Sequence, residues 1–259
     1  KTLIMTSDGN GTFNNTNALV LNNASSKLLL ANTTTVSRVS TSANNSGVDV
    51  DQNSTITSLA VGHTTPVSIA DGKTLSGAVT VTGGSIKLGE TGTLASAVSM
   101  SGGKLDADNN LALSGPLTQS GNIEIHVAED KTLSYSGAAV NLGANTITLS
   151  GGGTLNNTNA LVLNHESSLL ALAGILAIGD VEGTAASNTG KGIQVSSSAT
   201  LGNYDLSALS YLSLAADQTL AGQLNLKTNG ELKTSGAGQY IGDIALAGGK
   251  FSATDNQVL

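Results

Sequence analysis

The amino-acid sequence predicts an all-β protein, a parallel β-helix or β-solenoid whose coils are about 19–20 residues long. Three observations support this fold class: short apolar segments with period-2 alternation, Gly-Gly breaks between such segments, and two nested internal repeats. Period-2 alternation is typical of strands that bury one face. Strands this short and this frequent bury a continuous core when coils stack on one another.

The alternating segments recur every nine or ten residues, and their apolar positions are predicted to be buried. These pairs are Val79/Val81, Ile86/Leu88, Val98/Met100, Leu111/Leu113, Ile123/Ile125, Val140/Leu142 and Ile147/Leu149. No segment keeps the i, i+3, i+4, i+7 spacing of an amphipathic helix. Residues 169–178, LLALAGILAI, come nearest to it, but Gly174 interrupts them, so strands are predicted there too.

A short repeat sets the predicted length of a coil. VTVTGGSIKL at residues 79–88 is followed nineteen residues later by VSMSGGKLDA at residues 98–107. Each segment contains a strand, a Gly-Gly break and a second strand. Because glycine adopts φ > 0 and permits close approach of backbones, each Gly-Gly is predicted to form a corner of the coil.

A long repeat is superimposed on the short one. Residues 11–26 (GTFNNTNALVLNNASS) and residues 153–168 (GTLNNTNALVLNHESS) are identical at all but three positions. The asparagines of this block predict a turn ahead of a strand, since Asn tolerates left-handed conformations and stacked Asn side chains form hydrogen-bonded ladders. We interpret the block as a structural corner that recurs because the architecture recurs.

The long repeat defines the predicted organisation of the chain. Residues 1–259 are expected to form one continuous solenoid, with a first copy of the repeat at 1–145 and an incomplete second copy at 146–259. In this alignment Val48 coincides with Ile193. Unpaired strand edges at the two ends of a solenoid are expected to be covered by further coils of the same chain or by end-to-end self-association.

Composition and charge exclude several classes of function. The chain has 11 basic and 18 acidic residues, with a single arginine, Arg38, and no basic cluster, so no nucleic-acid partner is predicted. It has no cysteine, which excludes disulfides and thiolate sites. No apolar run is long enough for a membrane span. The first residue, Lys1, suggests a processed product or a segment of a longer chain.

The sequence resembles bacterial surface proteins of the autotransporter-passenger and filamentous-haemagglutinin-like adhesin family. The resemblance covers the whole chain and is carried by Gly-Gly-X-Leu corners (residues 102–105 and 152–155), Leu/Val/Ile alternation, abundant Ser, Thr and Asn, and the missing cysteine. It implies a right-handed parallel β-helix, secreted to a bacterial cell surface, that acts as a structural or adhesive rod. The implied partners are glycans of a host surface or matrix.

An enzymatic function is the alternative, because β-helices also carry polysaccharide lyases and tailspike-like depolymerases. The candidate carboxylates are three close pairs, Asp49/Asp51, Asp106/Asp108 and Glu129/Asp130. Two carboxylates at i, i+2 on a strand share one face, as glycoside cleavage or calcium binding needs. The second copy lacks the pairs, aromatic platforms are scarce, and no enzyme is predicted. Acidic residues of neighbouring coils converging in a groove with Lys or Arg would favour this alternative.

No catalytic, metal or cofactor residue is assigned. His63, His126 and His165 are far apart in sequence and lack ligand spacing, so no metal or cofactor is predicted. Thr-X-Thr occurs at residues 55–57, 80–82 and 146–148. An ice-binding face would need this motif on nearly every coil, and it is absent from most.

Overall fold

The computed structural model describes residues 1–6 and 10–253. This part of the chain contains 32 strands and no helix, which confirms the all-β class. The strands are β1 (Thr2–Met5), β2 (Gly11–Phe13), β3 (Leu19–Leu21), β4 (Lys27–Leu30), β5 (Thr34–Thr41), β6 (Gly47–Val50), β7 (Ser54–Val61), β8 (Thr65–Ile69), β9 (Thr74–Val81), β10 (Ser85–Leu88), β11 (Thr93–Leu94), β12 (Ala97–Met100), β13 (Lys104–Ala107), β14 (Leu111–Leu113), β15 (Leu117–Gln119), β16 (Ile123–Val127), β17 (Thr132–Tyr135), β18 (Val140–Asn141), β19 (Thr146–Ser150), β20 (Thr154–Asn157), β21 (Leu161–Leu163), β22 (Leu169–Leu172), β23 (Ala177–Ile178), β24 (Val181–Gly183), β25 (Gly192–Val195), β26 (Ala199–Leu206), β27 (Leu209–Leu214), β28 (Thr219–Leu226), β29 (Glu231–Gly236), β30 (Gln239–Ile241), β31 (Ile244–Leu246) and β32 (Lys250–Ala253).

The strands stack in parallel as a β-solenoid of about 12 turns, as the sequence predicts. The chain divides into two compact units. The first unit comprises Lys1–Ile123 with Lys131–Ala138, and the second comprises Glu124–Asp130 with Ala139–Leu259. The single continuous solenoid over residues 1–259 remains a prediction, since each unit is compact in itself.

Each coil of the first unit contributes to three parallel ladders, which we call faces 1, 2 and 3. Face 1 has the order β1-β4-β6-β8-β10-β13. Face 2 has the order β2-β5-β7-β9-β11-β14-β17, and face 3 has the order β3-β5-β7-β9-β12-β15. The eight-residue strands β5, β7 and β9 belong to both, pairing through their first halves on face 2 and through their second halves on face 3.

The second unit repeats this arrangement. Face 1 has the order β19-β22-β25-β27-β29-β32. Face 2 has the order β20-β23-β26-β28-β30, and face 3 has the order β18-β21-β24-β26-β28-β31. Val48 pairs with Val67 on face 1 of the first unit, and its counterpart Ile193 pairs with Leu212 on face 1 of the second. The two copies therefore place corresponding residues at corresponding positions.

The coil length is more variable than the sequence predicts. The step from Val48 to Val67 is 19 residues, as expected, but the steps from Ile147 to Leu170 and from Leu170 to Ile193 are 23. The extra residues lie in the turns between ladders, where insertion does not disturb strand pairing. The expectation of about 19–20 residues is thus correct for some coils and too short for others.

Stacked aliphatic side chains fill the interior. All the apolar pairs predicted from alternation are buried, with exposures of 4% or less. Their outward neighbours are polar or small, so each strand has one apolar face. Burial of one such aliphatic side chain stabilises the fold by roughly 1.5–3 kcal/mol. Residues 169–178 form β22 and β23, as predicted for this helix-like run.

Gly-Gly breaks form corners, as predicted. Gly103 in one Gly-Gly break and Gly248 in another have φ values of +82° and +88°. A Cβ at Gly103 would clash with the carbonyl oxygen of Gly84 in the preceding coil. This position therefore requires glycine for its conformation and for the close approach of two backbones.

Candidate functional site

The repeated block is a corner that is held by one asparagine. The Asn157 side-chain amide donates hydrogen bonds to the carbonyl oxygens of Asn159 (3.0 Å) and Asp180 (2.9 Å), and its Oδ1 accepts one from the Gly179 N–H (2.8 Å). Asp180 and Gly179 belong to the next coil. A single side chain thus satisfies three backbone groups and links two coils.

Asn15, the counterpart of Asn157, makes the same two donated bonds, and its acceptor bond comes from a backbone N–H one residue further along the next coil. Its amide donates to the carbonyl oxygens of Asn17 (2.8 Å) and Arg38 (2.7 Å), and its Oδ1 accepts from the Arg38 N–H (3.2 Å). The expectation of left-handed asparagines in this block is wrong. Among the described residues, positive φ outside glycine occurs at Asn45, Asp130, Asp217 and Asn229. The side chain, rather than backbone freedom, explains why Asn recurs.

One of the three differences between the copies preserves a turn bond. Asn23 Oδ1 accepts a hydrogen bond from the Ser25 N–H at 3.0 Å. His165, its counterpart, accepts the equivalent bond from the Ser167 N–H through Nδ1 at 3.1 Å. His165 therefore acts as a neutral acceptor in a turn, with its proton on Nε2.

In two of the three candidate carboxylate pairs, the surroundings of the carboxylates do not indicate a shared site. Asp49 faces outward on β6 and binds Lys27 of β4 at 2.9 Å, whereas Asp51 is exposed beyond the end of the strand. Glu129 and Asp130 lie in the turn after β16, and Asp130 has φ 59°. Asp49 therefore links two coils, and Glu129 and Asp130 are turn residues.

The third pair, Asp106 and Asp108, lies in a cluster with two lysines. Lys87 Nζ on β10 is 2.9 Å from Asp108 Oδ2, and Lys104 Nζ is 3.6 Å from Asp106 Oδ2. A hydrogen bond to Asp108 and the charges of Asp108 and Asp106 raise the pKa of Lys87, against a smaller opposing effect of burial. Lys87 is therefore positively charged at neutral pH. A polysaccharide lyase needs a neutral base for its elimination reaction, so Lys87 is disfavoured in that role.

A second cluster joins His126 to a residue of the next coil. Ser150 Oγ donates to Glu124 Oε1 at 2.6 Å, and His126 Nδ1 lies 3.0 Å from the same Oγ. A hydroxyl has one proton, so Nδ1 must donate to Ser150. In a nucleophilic triad the histidine accepts the serine proton. The direction of these bonds thus favours a polar link between coils over an activated nucleophile. His63 lies in a turn and is exposed.

Face 3 of the first unit carries hydroxyl groups on three successive coils. Thr80, Ser99 and Thr118 are in register, and Ser99 Oγ lies 3.1 Å from Thr118 Oγ1. An open depression of about 280 Å³ lies over them. The three hydroxyls come from different coils and do not form a Thr-X-Thr motif, so that motif does not reveal the array. The three Thr-X-Thr segments lie on three different faces.

Among the described residues, no three His, Asp or Glu side chains come together as a metal site. The same part of the chain contains no helix that could cross a membrane. No family model matches this chain, and neither curated proteins nor solved structures give a match.

Proposed function

We propose that this protein is a structural and adhesive segment of a rod-like extracellular surface protein, of the autotransporter-passenger or filamentous-haemagglutinin-like kind. Its function would be to add length through stacked coils and to present weak, repeated contacts along them. The fold is consistent with this role. The family, the location at a bacterial surface and the glycan partners are parts of the proposal.

The supporting observation is that outward charges join one coil to the next. Four of the ion pairs among the described residues connect neighbouring coils, with N···O distances between 2.7 and 3.1 Å. They are Lys27–Asp49, Lys87–Asp108, Lys227–Asp205 and Lys250–Glu231. Each exposed pair stabilises the fold only weakly, and together the pairs favour stacking of the coils in register. Charges that are paired between coils support a structural role better than a catalytic one.

Electron microscopy of native material, released from cells without denaturant, tests the proposal. Uniform fibres labelled by an antibody against this chain are the expected result. Short separate particles at native concentration would contradict a role in extended surface structures. A variant with Asp49→Asn serves as a control, because loss of one exposed pair should leave fibres intact.

A carbohydrate-active function is the second candidate, favoured by the cluster of Asp106, Asp108, Lys87 and Lys104. Here carboxylates of one coil meet a lysine of the preceding coil. The test is release of oligosaccharide ends from acidic and neutral polysaccharides. Activity that the double variant D106N/D108N abolishes, and that Asp49→Asn retains, would establish this candidate. No release by the parent protein would exclude it for the polysaccharides used.

A further inference from the structure

Tyr211 differs from the other three tyrosines of the chain. Tyr135, Tyr204 and Tyr240 are buried, with exposures of 2%, 2% and 5%. Burial raises the pKa of Tyr204, which is bonded to Ser210, and raises the pKa of Tyr240 to about 12, with a smaller effect of a nearby carboxylate. Tyr211 instead lies on the outward side of β27 and is partly exposed. Its ring is therefore available to a ligand.

The register partners of Tyr211 on face 1 are a glycine on one side and a lysine on the other. Gly192 is its register partner on β25, and Lys233 is its partner on β29. A Cβ at Gly192 would clash with the Tyr211 carbonyl oxygen, so this position carries no side chain. Lys233 Nζ lies 5.7 Å from the ring centroid. This distance is near the outer limit of a cation–π contact.

A row of uncharged polar side chains runs beside the ring. Gln194, Ser213 and Ser235 are in register on β25, β27 and β29, two residues along from Gly192, Tyr211 and Lys233 respectively. Their amide and hydroxyl groups can each donate and accept hydrogen bonds. The row and the ring together offer an aromatic surface edged with polar groups, which is how proteins commonly orient small polar ligands.

The charges nearby sum to a positive value. Glu231 lies 3.1 Å from Lys250 Nζ. The hydrogen bond from Lys250 lowers the pKa of Glu231, and the charges of Lys250 and Lys233 lower it further. Burial has a smaller, opposite effect on this pKa. Two lysines and one glutamate leave one net positive charge here, on a chain whose net charge is −7. These three charges therefore favour an anionic group over a cationic one.

We propose that the surface formed by Tyr211, Gln194, Ser213, Ser235 and Lys233, the Tyr211 platform, binds an oligosaccharide that carries a carboxylate. The apolar face of a pyranose ring packs on the tyrosine ring, the sugar hydroxyls bond to the polar row, and Lys233 pairs with a uronate. This inference rests on the proposed adhesive function and identifies its ligand class and its site.

Calorimetric titration of the full chain tests the platform. The probes are a tetrasaccharide of alternating glucuronate and N-acetylglucosamine, and a neutral tetrasaccharide of N-acetylglucosamine. The parent protein should bind the glucuronate probe more tightly. Tyr211→Ser should weaken its binding about tenfold, and Tyr211→Phe should stay within about twofold, because the ring face carries the contact. Lys233→Gln should remove the preference for the charged probe, whereas Lys73→Gln, a lysine change in the turn before β9 of the first unit, should not.

A second readout keeps the test independent of folding defects in the variants. The chain has no tryptophan, so its ultraviolet emission comes from tyrosine, and Tyr211 is the partly exposed one. The glucuronate probe should protect this emission from quenching by acrylamide in the parent protein. Failure of the parent to bind either probe, or unchanged binding by a folded Tyr211→Ser variant, would overturn the platform. Fibres seen by microscopy would still stand in that case, so the two proposals fail separately.

Discussion

Residues 11–26 and residues 153–168 have nearly the same sequence but different surroundings. Phe13 is 44% exposed and its counterpart Leu155 is 2% exposed, while Val20 is 48% exposed and Val162 is 8% exposed. The side-chain amides of Asn15 and Asn157 nevertheless donate hydrogen bonds to equivalent carbonyl oxygens. The comparison teaches that the local turn follows from the sequence of the block, whereas burial depends on the coil stacked against it.

In the second unit, the preceding coil packs against the repeated block. Val140 of β18 pairs with Leu161, and the Gly143 N–H donates to Asn164 Oδ1 at 2.8 Å. In the first unit β1 lies at the edge of face 1, and Leu3 and Ile4 are exposed. Because coils of a solenoid contact mainly their neighbours, the stabilising effect of a given side chain depends on whether both neighbours are present.

The largest expected difference concerns the strand leucines. Leu161→Ala should lower the free energy of unfolding by about 3 kcal/mol, because it leaves a cavity in a packed core. Leu19→Ala, at the counterpart position, should lower it by about 1 kcal/mol, since Leu19 is already partly exposed. Urea unfolding followed by circular dichroism measures both. Equal losses of stability in the two variants would contradict the conclusion that the stacked coil determines burial.

The asparagines should differ for the same reason. Asn157 is 5% exposed, so Asn157→Ala removes three hydrogen bonds at a site that water does not readily reach, and it should cost about 2 kcal/mol. At Asn15, which is more exposed, water can replace the lost bonds, and Asn15→Ala should cost about 0.5 kcal/mol. Thermal unfolding of the two variants distinguishes these values. Asn157→Asp, which would hold a buried carboxylate oxygen against the carbonyl oxygens of Asn159 and Asp180, should destabilise at least as much as Asn157→Ala.

The outward ion pair of Asp205 and Lys227 should have a smaller effect on the free energy of unfolding, and this effect should depend on pH. Burial by itself raises the pKa of Asp205, but hydrogen bonds from Lys227 and Asn225 and the charge of Lys227 outweigh it and lower that pKa overall. The stabilisation is therefore complete above the unfolded-state value of about 3.9 and is lost as pH falls through the lower folded value. Asp205→Asn should destabilise the protein slightly at pH 7 and not at all in strong acid. A difference that persists unchanged to pH 2 would contradict this.

The smallest effect is expected for a swap between the copies. His165→Asn restores the residue found at position 23, whose side-chain oxygen accepts the same backbone N–H. The free energy of unfolding should change by less than about 0.5 kcal/mol. Ala at position 165 serves as the control, since it removes the acceptor and should destabilise more. A large effect of Asn at this position would show that the two turns are not equivalent.

Much of the fold could be predicted from local patterns. The inward positions, such as Val98 and Met100, follow from period 2, because successive side chains of a strand point to opposite faces. Corners such as Gly103 follow from glycine, since a side chain there would meet the backbone of another coil. The longer coils near Leu170 could not be predicted, because turns between ladders change length without changing the strand pattern.

The sequence by itself determined the all-β class, the buried face of each strand and the recurrence of one corner, because these depend on residues close together in the chain. Only the tertiary structure decided which residues of different coils meet. Lys87 lies 21 positions before Asp108, and Gly192 lies 19 positions before Tyr211. Such contacts depend on the register and length of each coil, which no local pattern encodes. The clusters and the Tyr211 platform therefore became visible only once the coils were stacked.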